Sequence, residues 1–307
     1  MSGATDLKAP VMLLTGHTGE LFALSFSPNG KHLASSGLDR EIFLFNVFGD
    51  CENIAVLKGH KNAVIEVHWS HDNDFIFSCS ADETLGLWDV EYRKRIKKFV
   101  GHCGIVNGCY GCGERCIVSA SDDGCVKLWD IRTKKQINSL QHDFQILSVC
   151  ADSLGEFIYC GSLDNIIRVY DSRTFKQIMQ LQGHKDCITS VHLNNNGTKL
   201  ASNSMDQTII IWDVQPFCQN NTRIESTLTG PTHDFEHNLI KTRWGKGSLL
   251  ASGSADSNVY VFDTLESKML YKLGGHSGSV NDVALHPHQP ILASCSSDKT
   301  IYLGELI

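Results

Sequence analysis

The chain has 307 residues, and a composition of 42% hydrophobic and 20% charged residues with only six prolines argues against a disordered or fibrous protein. The formal net charge of -7 excludes indiscriminate binding to a nucleic-acid backbone and leaves only local basic patches possible. No apolar run approaches the ~20 residues of a membrane span, and residues 1–10 lack the apolar core of a secretory signal. We therefore expect a soluble, intracellular protein whose twelve cysteines are reduced thiols.

Short strands separated by turns are predicted from residue 11 onward. The first predicted segments are strands over 11–14, 21–26, 33–36 and 42–45, with turns at 27–30 and 39–40. Because every such segment contains only a few residues, we expect almost no helix.

Three landmarks recur at intervals of about 42 residues, within the range of periods that indicates a repeat architecture. The first is a Gly-His pair, found at Gly16-His17, Gly59-His60, Gly101-His102, Gly183-His184 and Gly275-His276, with Gln141-His142 in the fourth place. The second is an aromatic residue, at Phe45, Trp88, Trp129, Tyr170, Trp212 and Phe262. The third is an aspartate six residues earlier, at Asp39, Asp82, Asp123, Asp164, Asp206 and Asp256. A seventh unit has Asp298, with Gly304-Glu305 where the aromatic pair stands elsewhere.

These landmarks resemble those of the WD40 repeat, in which each unit forms one four-stranded propeller blade. The resemblance implies an all-β protein with the fold of a seven-bladed WD40 β-propeller. Seven units account for nearly the whole chain, so we expect residues 11–307 to form a single propeller and residues 1–10 a short N-terminal extension.

The two ends of the chain predict how the ring closes. The last unit supplies strands over 280–285, 291–294 and 300–303 and then stops, so its fourth strand is missing. Residues 11–14 stand where every other unit has its fourth strand. We predict that this N-terminal strand completes the last blade, which removes two exposed sheet edges.

Three units carry a His, a Ser, an Asp and a Trp, residue types that also occur in catalytic sites. The sets are His60, Ser78, Asp82 and Trp88; His102, Ser119, Asp123 and Trp129; and His184, Ser202, Asp206 and Trp212. The resemblance to WD40 proteins implies a hydrogen-bonded chain inside each blade, from Asp to His to Ser to the indole N–H. A catalytic set repeated in separate blades has no chemical purpose, so we expect structural tetrads and no enzyme.

Cys109, Cys112 and Cys116 include the Cys-x2-Cys spacing of zinc sites, but a second pair of ligands is missing. Alignment of the units places Cys109 on a strand and Cys112 in the following turn. We expect core packing here, no metal and no cofactor.

The sixth unit is irregular, with extra residues over 215–222 and 230–237. Its landmark histidine is either His233 or His237, and the spacing to Ser252 favours His233. Long loops on a rigid scaffold often carry specific contacts, so this unit is one candidate surface.

Basic residues cluster after the aromatic-Asp pair of three consecutive units, where neighbouring blades are expected to form one basic arc. They are Arg93, Lys94, Arg95, Arg132, Lys134, Lys135, Arg173 and Lys176. Such an arc suits an acidic partner or RNA phosphates. Acidic residues are predicted in turns on the same face, namely Asp72, Asp74, Glu114, Asp152 and Glu156. A mixed, solvated surface is therefore the competing interpretation.

The opposite face carries apolar residues in loops around the central channel, where ordinary turns prefer polar ones. The candidates for partner binding are Leu38, Ile105, Phe144, Leu163 and Met205, with Ala63 and Cys187 at positions equivalent to Ile105. An apolar ring surrounded by charge suits a protein-binding surface, and core contact for some of these side chains is the alternative.

Unrepeated stretches extend the resemblance beyond the WD40 repeat itself. They are residues 9–14, 46–51, 212–217, 233–236 and 297–305. Together they resemble the family of forty-kilodalton WD40 subunits of the U5 small nuclear ribonucleoprotein, a spliceosome component. The resemblance implies a non-catalytic scaffold for pre-mRNA splicing in the nucleus, a monomer within a larger complex. Its implied partners are spliceosomal proteins, chiefly the large U5 scaffold protein, with the U5 helicase and GTPase nearby. It implies only indirect or weak RNA contact, no membrane and no small-molecule substrate.

A second class of function stays open, because WD40 proteins also act as substrate receptors of ubiquitin ligases and as signalling scaffolds of the G-protein-beta type. Receptors usually add a docking domain, and beta subunits a long N-terminal helix. Neither fits in the ten residues before the first predicted strand.

Overall fold

The computed structural model describes residues 6–113, 115–133, 135–218, 222–234 and 238–306. Within these ranges the chain folds into seven antiparallel sheets of four strands each. The same ranges contain no helix long and apolar enough to cross a lipid bilayer.

The first three complete blades each take four consecutive strands, after a single N-terminal strand, β1 (Val11–Leu14). Blade 1 contains β2 (Leu21–Phe26), β3 (His32–Gly37), β4 (Glu41–Asn46) and β5 (Asn53–Lys58). Blade 2 contains β6 (Val64–Trp69), β7 (Phe75–Ser80), β8 (Thr84–Asp89) and β9 (Lys94–Val100). Blade 3 contains β10 (Val106–Cys112), β11 (Cys116–Ser121), β12 (Cys125–Asp130) and β13 (Gln136–Gln141).

The remaining blades follow the same order, and the last has only three strands of its own. Blade 4 contains β14 (Ile146–Ala151), β15 (Phe157–Ser162), β16 (Ile166–Asp171) and β17 (Gln177–Gln182). Blade 5 contains β18 (Ile188–Leu193), β19 (Lys199–Ser204), β20 (Thr208–Asp213) and β21 (Ile224–Thr229). Blade 6 contains β22 (Thr242–Trp244), β23 (Leu249–Ser252), β24 (Val259–Asp263) and β25 (Lys268–Leu273). Blade 7 contains β26 (Val280–Leu285), β27 (Ile291–Ser296) and β28 (Ile301–Glu305).

The N-terminal strand closes the ring, which confirms the prediction. β1 pairs antiparallel with β28, so that Val11 lies opposite Gly304 and Leu14 opposite Ile301. The Glu305 amide also donates to the Pro10 carbonyl at 3.0 Å. Blade 7 therefore has four strands, built from both ends of the chain.

The first strand of each blade lies innermost, and these seven strands pack against their neighbours in a closed circle in which β26 meets β2. Seven hydrophobic clusters of described residues fill the seven interfaces between adjacent blades. Trp88, Trp129 and Trp212 are among the largest fully buried side chains. The core is thus a ring of blade interfaces and not one central cluster.

The antiparallel strands give the disk two faces. The upper face carries the Gly-His segments and the aspartate turns, such as His60 and Asp82. The lower face carries the turns between the first and second strands and between the third and fourth, such as 70–74 and 90–93. On the lower face these turns are joined, because the Val90 amide donates to the Asp74 carbonyl at 3.0 Å.

Candidate functional site

The aspartate landmark closes a tight turn in all seven blades. One carboxylate oxygen accepts the amide two residues later, at 2.9 to 3.3 Å. The residue between them is left-handed, with φ of 64° to 74°, at Arg40, Glu83, Gly124, Asn165, Gln207, Ser257 and Lys299. The carboxylate compensates for that conformation, since it satisfies an amide that the turn would otherwise leave unpaired.

In five blades the second oxygen of this aspartate reaches back to the Gly-His segment. It lies 2.6 to 3.1 Å from the histidine Nδ1 and 2.8 to 3.2 Å from the amide that follows the histidine. The pairs are His17–Asp39, His60–Asp82, His102–Asp123, His184–Asp206 and His276–Asp298. Each aspartate therefore ties two upper-face loops together.

The histidine Nε2 lies 2.6 to 2.9 Å from a serine hydroxyl in the same five blades. The serines are Ser35, Ser78, Ser119, Ser202 and Ser294. In blades 2, 3 and 5 the tryptophan indole N–H donates to the same serine oxygen at 2.7 to 2.8 Å, so the three predicted tetrads are brought together. Blades 1 and 7 contain two further sets, which lack the tryptophan. The sequence signal for them was the spacing of His, Ser and Asp, which is the same as in blades 2 and 5.

The electrostatics of this network favour a charged aspartate in all five blades and a neutral histidine in blades 3 and 7, because the pKa of each of these groups is lowered. Burial disfavours ionisation of Asp206, but hydrogen bonds from His184 and Thr208 outweigh it and hold the pKa of this carboxyl below its usual range. Burial lowers the pKa of His102, although Asp123 opposes that shift. A neutral histidine that donates from Nδ1 and accepts at Nε2 satisfies every partner. The serines that accept or donate at the far side of each histidine are buried, so the role of the network is to stabilise the fold.

Blades 4 and 6 hold their aspartates with other residues. In blade 4 Asp164 pairs with Arg168 at 2.5 Å, while His142 meets the Tyr170 hydroxyl at 3.3 Å. In blade 6 Asp256 accepts from the Tyr260 hydroxyl at 2.7 Å and pairs with Lys272 at 3.1 Å.

The predicted choice between two histidines in the sixth unit falls partly beyond the structure, because His237 lies outside the described residues. Near His233, the Thr232 amide donates to the Ser254 hydroxyl at 3.0 Å, and the Ala255 amide donates to the Thr232 carbonyl at 2.9 Å. The segment before His233 is thus joined to the aspartate turn of blade 6 through Thr232.

The upper face presents three of the candidate partner-binding residues on connected loops. Ile105 is 40% exposed, Phe144 50% and Leu163 43%. Backbone hydrogen bonds join their loops in series, from the Asp122 amide to the Ile105 carbonyl, from the His142 amide to the Gly124 carbonyl and from the Leu163 amide to the Gln145 carbonyl. We call Ile105, Phe144 and Leu163 the upper apolar patch.

The other upper-face candidates lie apart from this patch or are less exposed. Leu38 is 50% exposed but belongs to blade 1, and the exposed polar residues Lys61 and Asn62 of blade 2 stand between. Met205 is half-buried in blade 5. Ala63 and Cys187 are each 5% exposed because they pack where the inner strands begin, so the alternative of core contact holds for these two residues.

The basic arc is less continuous than its sequence suggests. Lys94 and Arg95 lie in β9 and not in a turn. The Arg95 guanidinium packs 5.6 Å from the Trp88 ring centroid and donates to the Gly59 carbonyl at 2.8 Å, which draws it away from the lower-face turns.

Two further arginines of the arc are paired with acids. Arg132 bonds Asp130 and Arg173 bonds Glu156, both at 2.6 Å. The remaining described members are exposed, namely Arg93, Lys135 and Lys176. Lys134 and the neighbouring acid Glu114 lie outside the described residues.

A buried charge cluster in the central channel was missed by the sequence reasoning. Arg243 lies 2.7 Å from Glu66 and 3.2 Å from Asp282, with Lys241 at 3.8 Å from Glu66. Burial alone lowers the pKa of Arg243, but Asp282 and Glu66 more than reverse it and raise that pKa above its ordinary value. The available signal was one charged residue inside each of three inner strands, β6, β22 and β26, but the sequence does not show that these residues meet.

The cysteine group is part of the core. Cys109 is fully buried, and Cys112 ends β10 opposite Cys116, so placing Cys112 in a turn was wrong. All twelve cysteines are free thiols. Among the described residues no cluster of three or more His, Cys, Asp or Glu side chains is arranged to hold a metal.

Comparison with known proteins agrees with this architecture. The family model described as "WD domain, G-beta repeat" matches residues 8–46, 51–89, 93–130, 134–171, 175–213 and 267–303. The chain belongs to the WD40-repeat family. The stretch between the last two WD40 matches contains the irregular sixth unit, which nevertheless forms a four-stranded blade.

Three similar WD40 relatives span nearly the whole chain. It is 43% identical to the U5 small nuclear ribonucleoprotein 40 kDa protein of Dictyostelium discoideum and 46% identical to that of Homo sapiens. It is 40% identical to the pre-mRNA-splicing factor cwf17 of Schizosaccharomyces pombe. Each comparison covers 98% of this chain and 85% to 89% of the relative.

Proposed function

We propose that this protein is a non-catalytic scaffold of the U5 small nuclear ribonucleoprotein that supports pre-mRNA splicing in the nucleus. The observation that carries the proposal is the similarity to splicing proteins over 98% of the chain. A rigid ring that presents several surfaces at once suits assembly, and the buried tetrads supply rigidity and not chemistry. In this role residues 11–307 act as one propeller unit, with residues 1–10 as a short extension.

The upper apolar patch is the proposed docking site. Burying three exposed apolar side chains on adjoining loops releases water without desolvating many charges. Leu38 of blade 1 and Met205 of blade 5 are further proposed contact points outside the patch. The partners are spliceosomal proteins, chiefly the large U5 scaffold protein, with the U5 helicase and GTPase nearby. The chain acts as a monomer within the complex, without a cofactor, and touches RNA only indirectly or weakly.

The test is co-purification from nuclear extract with the double variant Phe144→Asp and Leu163→Asp. Loss of the U5 proteins, with an unchanged melting temperature, supports the docking site. The matched control is Lys31→Asp, on an exposed residue of the lower face. Retained co-purification overturns the site assignment. Recovery of ubiquitin-ligase or G-protein subunits by the wild-type chain, in place of U5 proteins and U5 RNA, overturns the splicing role.

A further inference from the structure

A phenylalanine stands almost fully exposed on the lower face of blade 5. Phe217 is 94% exposed, more than any other large hydrophobic side chain among the described residues. It lies in the turn between β20 and β21, which runs from 214 to 223, whereas the corresponding turn of blade 2 covers only 90–93. This face is opposite the upper apolar patch, so an inference from Phe217 is independent of the proposed docking site.

The backbone that leads to Phe217 is held in place. Arg223 has a left-handed φ of 57°, and its Nη1 donates to the Gln215 carbonyl at 2.6 Å and to the Asp213 carbonyl at 3.2 Å. The Gln215 amide donates to the Asp213 carboxylate at 2.9 Å, and the ring of Pro216 restricts its own φ. Because this segment is already ordered, little backbone freedom is lost when Phe217 is bound, which lowers the entropic cost of an interface.

The surface around Phe217 lacks exposed charge. In the two lower-face turns of blade 5, the described residues that are exposed are all uncharged, namely Asn195, Asn196, Gln215, Pro216, Phe217 and Thr222. Blades 1, 2, 3, 4 and 6 expose charges in the same turns, for example at Lys31, Arg93, Arg115, Arg173 and Lys246. An aromatic side chain in surroundings depleted of charge is typical of the centre of a protein interface.

A cavity of about 180 Å³ lies beside this turn and offers space for partner atoms that surround the bound ring. Its lining includes two bases, Lys199 and Arg223, and two acids, Asp213 and Glu225. Because these formal charges balance, neither a phosphate backbone nor a highly charged peptide is attracted to this side of the disk. The neutral surroundings fit an uncharged protein surface.

We propose that Phe217 is an anchor that inserts into an apolar pocket of a folded partner protein, whose uncharged hydrogen-bonding groups surround the ring. Burial of the aromatic side chain supplies the affinity, and the amide side chains around it fix the orientation. A base of single-stranded RNA also stacks on aromatic rings, but its phosphates would find no net positive charge here. A protein pocket is therefore the occupant that the surface fits.

The experiment irradiates the full chain in nuclear extract with a photoreactive residue in place of Phe217, as Phe217→p-benzoylphenylalanine, and identifies the cross-links by mass spectrometry. The matched control is Tyr92→p-benzoylphenylalanine. Tyr92 is a 71% exposed aromatic residue in the corresponding turn of blade 2, but it lies between the charged residues Glu91 and Arg93. Unlabelled wild-type chain and Phe217→Ala chain serve as competitors, and both should melt alike because Phe217 lies outside the core.

Position 217 should give a discrete protein cross-link that position 92 does not give, and the cross-linked residue should lie among apolar residues of the partner. Phe217→Ala should need at least about tenfold more chain than the wild type to suppress this cross-link. The cross-link should survive ribonuclease and about 0.5 M salt, since salt does not screen an apolar contact.

The proposal is overturned by a cross-link to RNA or to a second copy of this chain, or by the absence of any cross-link beyond those of position 92. Equal competition by wild type and Phe217→Ala also overturns it. The identity of the cross-linked protein bears only on the splicing role, so the two proposals fail separately.

Discussion

Arg243 in blade 6 donates to Glu66 in blade 2 at 2.7 Å, although the two residues are 177 positions apart. The same guanidinium reaches Asp282 of blade 7, whose second contact is the Leu24 amide of blade 1 at 3.0 Å. One cation thus connects inner strands on different sides of the channel. Because the side chains of Glu66 and Asp282 are 6% and 0% exposed, neither acid can replace this partner with bulk water.

We predict that Arg243→Met destabilises the protein by about 3 to 5 kcal/mol, since it leaves two buried carboxylates without their main cation. Urea unfolding followed by circular dichroism measures the change. Arg173→Met is the control, because Arg173 forms an ion pair with Glu156 at the surface and its removal should have a much smaller effect. If the two variants lose the same free energy of unfolding, the buried ion pair of the channel contributes no more to stability than the surface pair.

The buried tetrads predict a second stability effect. Ser202→Ala removes the group that joins His184 to Trp212 and strands two buried polar atoms, at about 1 to 3 kcal/mol for each. Ser277→Ala, at an exposed serine of blade 7, is the control and should melt like the wild type. A Ser202→Ala protein with unchanged thermal and urea midpoints would contradict the structural role of the tetrad.

Closure of the ring by β1 predicts the result of truncation. Deleting residues 1–15 removes the strand that covers β28 and the buried Leu14 side chain, so the melting temperature should fall sharply. The exposed edge should also promote association, which size-exclusion chromatography detects. Deleting only residues 1–5 is the control. Unchanged melting of the longer truncation would mean that the ring does not depend on β1.

The buried side chain of His68 is expected to make the stability of the fold sensitive to acid. Burial, together with the charge of Arg243, lowers its pKa to about 3, against 6.5 for an ordinary histidine. As the pH falls, this residue therefore takes up a proton in the unfolded chain at a higher pH than in the folded chain. His68 does not affect the free energy of unfolding above about pH 6.5, and it lowers that free energy progressively from about pH 6.5 to about pH 3.

His68→Gln should make the urea midpoint less dependent on pH across that window. His71→Gln, at an exposed neighbour, serves as the control and should follow the wild-type curve. Identical pH dependence in wild type and His68→Gln would assign the acid sensitivity to other groups.

Sequence reasoning succeeded where the deciding contacts are local. The Asp82 turn is closed by an amide two residues later, and His60 lies 22 positions away in the same unit. Periodicity also predicted that residues 11–14 complete blade 7, because a missing fourth strand is visible in the spacing. The reasoning failed for Arg95, whose position next to the basic turn did not reveal that its long side chain folds back onto Trp88.

By itself, the sequence determined the number of blades, their turns and the hydrogen-bonded tetrads, since each depends on residues within one repeat of about 42. Tertiary structure alone decided the features that require two or more blades to meet. Arg243 meets Glu66 only when the ring is complete, and the loops of Ile105, Phe144 and Leu163 come onto one face only when blades 3 and 4 pack side by side. The space beside Gly111 is a pocket only because Phe77 and Ile131 surround it. The physical reason is that a repeat specifies its own hydrogen bonds, whereas surfaces and buried charges between repeats depend on side chains far apart in the chain.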